Sequence, residues 1–114
     1  MTPEGTHLLL DFHGATDPGD RALSILRGIA QMAQCDIMKE AEHVFPGGGR
    51  TALLLLSASH ASIHTWPEHR YVSVDLYSCK VLSRDQVNLI KMYAKTELRS
   101  SGEEMREVLR GHPL

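Results

Sequence analysis

The feature that most constrains this chain is a run of four leucines, residues 53–56, that stops at Ser-Ala-Ser, residues 57–59. Consecutive large apolar side chains are typical of a buried strand, and small polar residues directly after them are typical of a tight turn. We therefore expect residues 51–57 to form a strand that ends at this turn. Residues 63–65 are expected to return into the sheet on the far side of the turn.

The length and charge of the chain narrow the class of protein. At 114 residues it can build one domain around one core, and a domain of this size gains from docking a second copy, so we expect a homo-oligomer. A formal net charge of −2 provides no broad basic surface, so small molecules are expected partners and nucleic acid is not.

No apolar stretch approaches the ~20 residues that span a bilayer, and residues 1–5 lack the basic start of a signal peptide. We therefore expect a cytoplasmic protein without a membrane segment, in which Cys35 and Cys79 are free thiols.

Hydrophobic patterns predict a sheet and two helices. Apolar runs or alternating apolar and polar residues predict strands over residues 6–12, 35–45, 51–57, 63–65 and 71–78. Residues 103–110 suit either a helix or a charged edge strand, and we favour the edge strand. Apolar residues at three- and four-residue intervals predict helices over residues 22–32 and 86–94. The whole chain is thus predicted to be one α+β domain, a two-layer sandwich of a mainly antiparallel sheet with two helices packed on one face.

Cap residues predict where each helix begins. Asp17 is expected to cap the first helix, with Pro18 at its first helical position. Ser83 is expected to cap the second helix in the same way.

The turn at residues 57–59 carries a serine that can react with its own backbone. The Ser59 hydroxyl can attack the carbonyl carbon of Ala58 and form an ester, because the peptide bond before a serine lies within reach of its side chain. Loss of the Ser59 α-proton then releases the upstream chain as a carboxylate, and the remaining dehydroalanine hydrolyses to a pyruvoyl group. These steps need hydrogen bonds at the carbonyl and a base, for which His64, expected across the bend, is the first candidate. The alternative is an ordinary turn whose serines bond local backbone groups.

A longer segment around this turn resembles a known family. Residues 57–68 read Ser-Ala-Ser-His-Ala-Ser-Ile-His-Thr-Trp-Pro-Glu and resemble the motif Ser-Glu-Ser-His-x-x-Ile-His-Thr-x-Pro-Glu, the self-cleaving site of the prokaryotic S-adenosylmethionine decarboxylases. Ala58 stands where that motif has a glutamate, directly before the cleaved serine. The resemblance extends over most of the chain, through Gly5-x-His7-Leu8-Leu9, Phe45-Pro46, residues 75–79 and Arg110-Gly111.

The resemblance implies a pyruvoyl cofactor made from Ser59. Residues 59–114 would carry this group, and residues 1–58 would remain as a separate chain that is held without a covalent bond. Together with the small size of the domain, the resemblance implies a homodimer whose pockets lie at or near the interface and are partly formed by both subunits. Thr51 corresponds to a family serine that assists backbone cleavage together with the histidine matching His64. In this family the pyruvoyl carbonyl forms a Schiff base with the substrate amine and accepts the electrons left when CO₂ departs.

The same resemblance assigns residues to the substrate. Cys79 corresponds to the cysteine that donates a proton in decarboxylation, Glu68 to the acid that binds the ribose hydroxyls, and Phe45 to the aromatic that stacks on adenine. Ala58 would become the carboxyl end of the short chain, beside the substrate. Without the resemblance, Cys79 is typical of a small apolar residue at a strand end, Phe45 of a core residue, and Glu68 of a solvated turn acid.

A metal site is the alternative use of the histidines that follow the turn. His60 and His64 are four residues apart, and His69 follows. On an extended segment this spacing does not bring two ring nitrogens to one ion, so we expect no metal.

Three functions remain open at this point. The first is decarboxylation of S-adenosylmethionine for spermidine synthesis, which Phe45, Glu68 and Cys79 favour. The second is pyruvoyl-dependent decarboxylation of ornithine or arginine, which the change at Ala58 suggests. The third is a homologue that is never cleaved and has no catalytic activity.

Overall fold

The computed structural model describes residues 3–111, and within them a six-stranded sheet carries two α-helices on one face. The strands are β1 (Gly5–His13), β2 (Ile37–Val44), β3 (Arg50–Leu56), β4 (His60–Trp66), β5 (Tyr71–Ser78) and β6 (Gly102–Arg110), and the helices are α1 (Ala22–Met32) and α2 (Arg84–Leu98). Their order across the sheet is β2-β3-β4-β5-β1-β6, with neighbouring strands antiparallel. The expected α+β two-layer sandwich is confirmed.

Side-chain alternation gives the sheet one covered face and one open face. Leu8, Leu10 and Phe12 of β1 are buried in one core together with Ile25 and Ile29 of α1. Helix α1 contacts β3 and β4, while α2 contacts α1 and β1, so both helices cover the same face. The residues between the buried positions of each strand lie on the opposite face.

The open face keeps large apolar side chains in contact with solvent. Leu53 and Leu55 of β3 are 47% and 52% exposed, and Trp66 of β4 is 39% exposed. Leu54, between the two exposed leucines, is buried, so the exposure follows from the pleat of the strand. Several apolar side chains on one uncovered sheet face are typical of a surface that another molecule covers.

Helix α1 spans the expected residues, but the prediction for its start is wrong. Asp17 does not cap it: Asp17 Oδ1 accepts a hydrogen bond from the backbone N–H of Gly19 at 3.2 Å and closes a local turn. A short 3₁₀ turn, Gly19–Arg21, comes next, so Pro18 precedes that turn instead of opening the helix. Arg21 occupies the N-cap of α1 without a side-chain cap.

Helix α2 begins as expected and runs further than expected. Ser83 Oγ accepts a hydrogen bond from the Gln86 backbone N–H, and Gln86 Oε1 accepts one from the Ser83 backbone N–H, which completes a capping box. The helix continues to Leu98, which is buried. Neither helix of the described range is long and apolar enough to cross a membrane.

The edges of the sheet and the turn between β3 and β4 also refine the expectations. The segment predicted over residues 103–110 is an edge strand, β6, which pairs with β1 at one end of the sheet, as favoured from the sequence. The predicted strand over residues 35–45 shortens to β2, whereas the one over residues 63–65 lengthens to β4. Three residues, 57–59, therefore join β3 to β4, and we call them the elbow. The backbone N–H of Leu56 donates to the Ser59 carbonyl at 3.0 Å across it.

Two neighbouring residues of α2 provide a test of the core. Ile90 is buried and Leu89 is 58% exposed. We expect Ile90→Ala to lower the free energy of unfolding by about 2–5 kcal/mol, because it leaves a cavity between helix and sheet. Leu89→Ala is the matched control and is expected to change it by no more than about 0.5 kcal/mol. Chemical denaturation of both variants measures the difference, and equal effects would contradict the assigned helix face.

Candidate active site

A cavity of about 530 Å³ lies where β3 begins and β4 ends. Its walls come from the loop after β2, the first residues of β3, the last residues of β4 and the turn that follows. Four residues singled out in the sequence line it: Phe45, Thr51, His64 and Glu68. We call these four residues the pocket group.

Thr51 and His64 form a cross-strand pair inside this cavity. They are opposite each other in the β3–β4 ladder, and Thr51 Oγ1 lies 3.0 Å from His64 Nδ1. This contact fixes the orientation of the imidazole and occupies one ring nitrogen. Proton transfer by His64 would therefore fall to Nε2, the other ring nitrogen.

Two aromatic side chains and one carboxylate complete the cavity. Phe45 is 48% exposed, so the alternative in which it fills the core is wrong. Trp66 lines the cavity too, with its ring 6.0 Å from that of His64. Glu68 lies in a 3₁₀ turn, Pro67–His69, and is exposed at the edge of the cavity. Apolar walls with few polar groups are typical of a small-molecule site.

Tyr71 supports the Trp66 wall from outside the cavity. The two ring centroids lie 5.3 Å apart, and the Tyr71 hydroxyl donates a hydrogen bond to Asp11. Burial, followed by the bond to Asp11, raises the pKa of Tyr71 to about 12. The phenol is therefore neutral at physiological pH and remains a hydrogen-bond donor.

Two residues of the cavity were not anticipated from the sequence. Trp66 occupies the variable position directly before the proline of the motif, and the sequence gave no reason to assign it a role. Arg50, next to the glycine-rich loop, lies 3.4 Å from Glu42 through its Nη1 atom. Its Nε is buried and has no hydrogen-bond partner within residues 3–111.

The serine predicted to react lies at the other end of β4. Ser59 ends the elbow, and its Oγ is buried without a hydrogen-bond partner in the described part of the chain. The last pair of the β4–β5 ladder joins His60 to Tyr77. Continuing that register places Ser59 beside Ser78, with Cys79 one residue further along. We call Ala58, Ser59 and Cys79 the elbow group.

The pocket group and the elbow group are separate within one chain. Ser59 and His64 are five residues apart along an extended strand, which is roughly 16 Å. The expected position of His64 across the bend from Ser59 is therefore wrong, because His60–Trp66 is a continuous strand and not a bend. His64 of one chain cannot act on Ser59 of the same chain.

The residues of the elbow fit the formation of a pyruvoyl group. A buried polar atom without a partner is uncommon in a folded protein and needs an explanation, which a reacting hydroxyl provides. Ser57 and Ala58 are exposed, so a new carboxylate at residue 58 would be solvated. Within residues 3–111 no three His, Cys, Asp or Glu side chains lie close enough together to hold a metal ion.

Comparison with known proteins places this site in a family. A family model described as S-adenosylmethionine decarboxylase matches residues 6–111. The chain belongs to the S-adenosylmethionine decarboxylase family. The resemblance drawn from residues 57–68 is thereby confirmed, and both the pocket group and the elbow group lie within the matched residues.

Curated relatives and a solved structure agree with this family. An S-adenosylmethionine decarboxylase proenzyme of Clostridium botulinum (strain Loch Maree / Type A3) is 30% identical over 115 residues, or 97% of each chain. One from Sulfurihydrogenibium sp. (strain YO3AOP1) is 37% identical over 79 residues, which are 66% of this chain and 59% of that protein. The crystal structure of the adenosylmethionine decarboxylase from Aquifex aeolicus VF5 superposes with a TM-score of 0.78 at 27% identity, covering 97% of this chain and 93% of that one.

Proposed function

We propose that this family member is a pyruvoyl-dependent S-adenosylmethionine decarboxylase that forms its cofactor from Ser59 and serves spermidine synthesis. The observation that carries the proposal is the buried, unpartnered Ser59 hydroxyl at the elbow between two paired strands. The names of its relatives support the substrate. Two cysteines outside any disulfide within the described residues suit a reducing compartment, and we propose the cytoplasm.

Self-cleavage uses only the backbone and a few side chains. Ser59 Oγ attacks the Ala58 carbonyl carbon; the C–O bond forms, the C–N bond breaks, and the Ser59 nitrogen gains a proton. Removal of the Ser59 α-proton then breaks the Cβ–O bond, and residues 1–58 leave with a carboxylate. Water replaces the nitrogen of the resulting dehydroalanine, and ammonia is released. Donors at the Ala58 carbonyl and a base at the α-proton are the catalytic requirements.

A second copy of the chain would supply these requirements. Since the Thr51–His64 pair lies roughly 16 Å from Ser59 of its own chain, it meets a Ser59 only on another chain. In a two-fold dimer each pocket group would face the elbow group of the partner, and two equal sites would form. The exposed Leu53, Leu55 and Trp66 side chains of the open face give such a dimer apolar area to bury. We propose a homodimer with composite sites.

The pocket group would bind the nucleoside end of the substrate. Phe45 and Trp66 provide aromatic faces for adenine, and the Glu68 carboxylate can accept hydrogen bonds from the ribose hydroxyls. The pyruvoyl group supplies the electron sink for loss of CO₂. The Cys79 thiol, at the end of β5, would then donate a proton to the substrate α-carbon.

Ala58 bears on which substrate the site accepts. Its side chain carries no carboxylate, so the released end of residues 1–58 brings one charge fewer to the site than a glutamate would. Cleavage itself uses the backbone carbonyl of residue 58, and alanine leaves that group unchanged. Ornithine and arginine are therefore included in the assay, although the relatives compared above are all named for S-adenosylmethionine.

Two measurements on purified protein test the function. The intact mass should show two chains that correspond to residues 1–58 and 59–114, the latter carrying a ketone in place of serine. Release of CO₂ is then compared for S-adenosylmethionine, ornithine and arginine. A single full-length species would overturn the proposal in favour of an uncleaved homologue, and faster release from a basic amino acid would overturn the substrate.

Phe45 and Val44 give a matched test of the nucleoside site. Both side chains are about half exposed, at 48% and 49%, but only Phe45 lines the cavity. We expect Phe45→Ala to raise the KM for S-adenosylmethionine by about tenfold, since stacking of a base on an aromatic ring is worth ~1–3 kcal/mol. Val44→Ala should leave it unchanged. Steady-state kinetics measure both, and equal KM values would show that Phe45 does not contact the substrate.

A further inference from the structure

Cys35, the second cysteine of the chain, lies beside the elbow although it is distant from it in sequence. It belongs to the short turn between α1 and β2, where its backbone N–H donates to Ala30 at 3.0 Å. The next residue, Asp36, accepts a hydrogen bond from the Ser57 backbone N–H, also at 3.0 Å. This bond ties the turn that carries Cys35 to the elbow that carries Ser59.

The thiol of Cys35 faces the serines at the ends of β4 and β5. Cys35 Sγ lies 4.0 Å from Ser78 Oγ, within the range of a weak sulfur hydrogen bond. Ser78 is fully buried, and its Oγ accepts a hydrogen bond from the Lys80 backbone N–H at 3.2 Å. Ser59 is beside Ser78 in the extended β4–β5 register. The Ser59 hydroxyl, Ser78 and the Cys35 thiol are therefore neighbours at this end of the sheet.

We propose that Cys35 is a positioning residue for self-cleavage, with its thiol holding the Ser59 hydroxyl toward the Ala58 carbonyl. This inference rests on the proposed function and adds a residue to it. Ser59 Oγ is buried, and no group within residues 3–111, sulfur atoms included, forms a hydrogen bond with it. The Cys35 thiol donates its proton to the Ala33 carbonyl at 3.6 Å, which leaves the sulfur as a weak acceptor for the Ser59 hydroxyl as it turns toward Ala58. A hydroxyl anchored in this way loses the rotational freedom that would otherwise lower the rate of attack.

The protonation state of Cys35 suits positioning and not base catalysis. Burial raises the pKa of the thiol, and the bond with Ser78, the next largest effect, lowers it only in part. Cys79 raises this pKa further, whereas Ser59 and Lys80 lower it. An effect of Ser59 on this pKa requires that its hydroxyl lie near the thiol. A neutral thiol can orient the hydroxyl without removing its proton.

Two substitutions at Cys35 separate positioning from simple packing. Freshly made protein is followed by intact mass, and the first-order rate of appearance of residues 1–58 and 59–114 is measured for Cys35→Ala and Cys35→Ser. We expect the alanine variant to split about tenfold more slowly, because it lacks any group for the hydroxyl. The serine variant, which keeps a polar group of similar size, should recover most of the rate. If Cys35 only fills space, alanine should be tolerated at least as well as the more polar serine.

The same samples give the outcomes that would overturn the inference. Equal rates of splitting for Cys35→Ala and the unchanged chain would refute it, and so would slower splitting by the serine variant than by the alanine variant. Turnover per processed chain should change less than the splitting rate; an equal loss of both would indicate a general structural effect instead. If the unchanged chain never splits, the proposed function fails and this inference fails with it. Thermal melting confirms that each variant is folded.

Discussion

Ser59→Ala is expected to leave the chain in one piece and to abolish CO₂ release from S-adenosylmethionine. Alanine has no hydroxyl to attack the residue 58 carbonyl, and no pyruvoyl group can form without that attack. Loss should be complete, since residue 59 supplies both the hydroxyl next to the cleaved bond and the Cα that becomes the ketone carbon. Intact mass and a CO₂ assay on the same preparation measure the two effects.

Ser57 provides the matched control for this experiment. It lies two residues earlier in the same elbow and is exposed, and it contacts Asp36 through its backbone N–H, which a side-chain change leaves in place. We expect Ser57→Ala to split and to turn over at nearly the rate of the unchanged protein. Full CO₂ release by Ser59→Ala, or loss of splitting only in Ser57→Ala, would contradict the assignment of the reacting serine.

Mixing two inactive variants is expected to restore activity when the changes lie in different groups. His64→Ala removes a pocket-group residue and Cys79→Ala an elbow-group residue. Each alone should lower turnover by about 10²-fold or more, as is usual for lost acid–base groups. In a mixed dimer the Cys79 of one chain meets the His64 of the other, so one of its two sites is intact. Random mixing of co-expressed chains should recover about a quarter of the native sites.

A pair within one group is the control for this complementation. Thr51→Ala and His64→Ala both alter the pocket group, so every site of their mixed dimer keeps one defect. We therefore expect this pair to show no gain over the separate variants. Absence of recovery in the cross-group pair would contradict composite sites and favour a site within one chain. Recovery in the same-group pair would show that Thr51 and His64 do not serve the same site.

Much of the fold could be predicted because its signals are local. The spacing of Ile25 and Ile29 and the alternation along β5 each need only a few neighbouring residues to be recognised. The start of α1 could not be predicted, because Asp17 can close a turn with Gly19 as readily as it can cap a helix. The start of β4 was missed because its first residues, His60, Ala61 and Ser62, are polar or small and are weak strand signals.

The candidate site was predicted in its residues but not in its arrangement. The motif identified Ser59 and His64 as a reacting pair, and only the extended course of β4 reveals that they lie apart in one chain. Cys35 could not be found at all from its sequence position, because the α1–β2 turn reaches the elbow through tertiary contacts. Residues that come together only through tertiary contacts share no regular spacing in the sequence, so the sequence alone does not indicate that they are neighbours.

The strand order has a consequence for a chain cut after residue 58. The first piece would contain β1, β2 and β3, and the second β4, β5 and β6. Because β1 lies between β5 and β6, and β3 pairs with β4, strands of the two fragments pair with each other at three places in the sheet. Neither fragment can dissociate unless these strand pairs break, so the two fragments would stay associated and keep the fold after scission of the backbone.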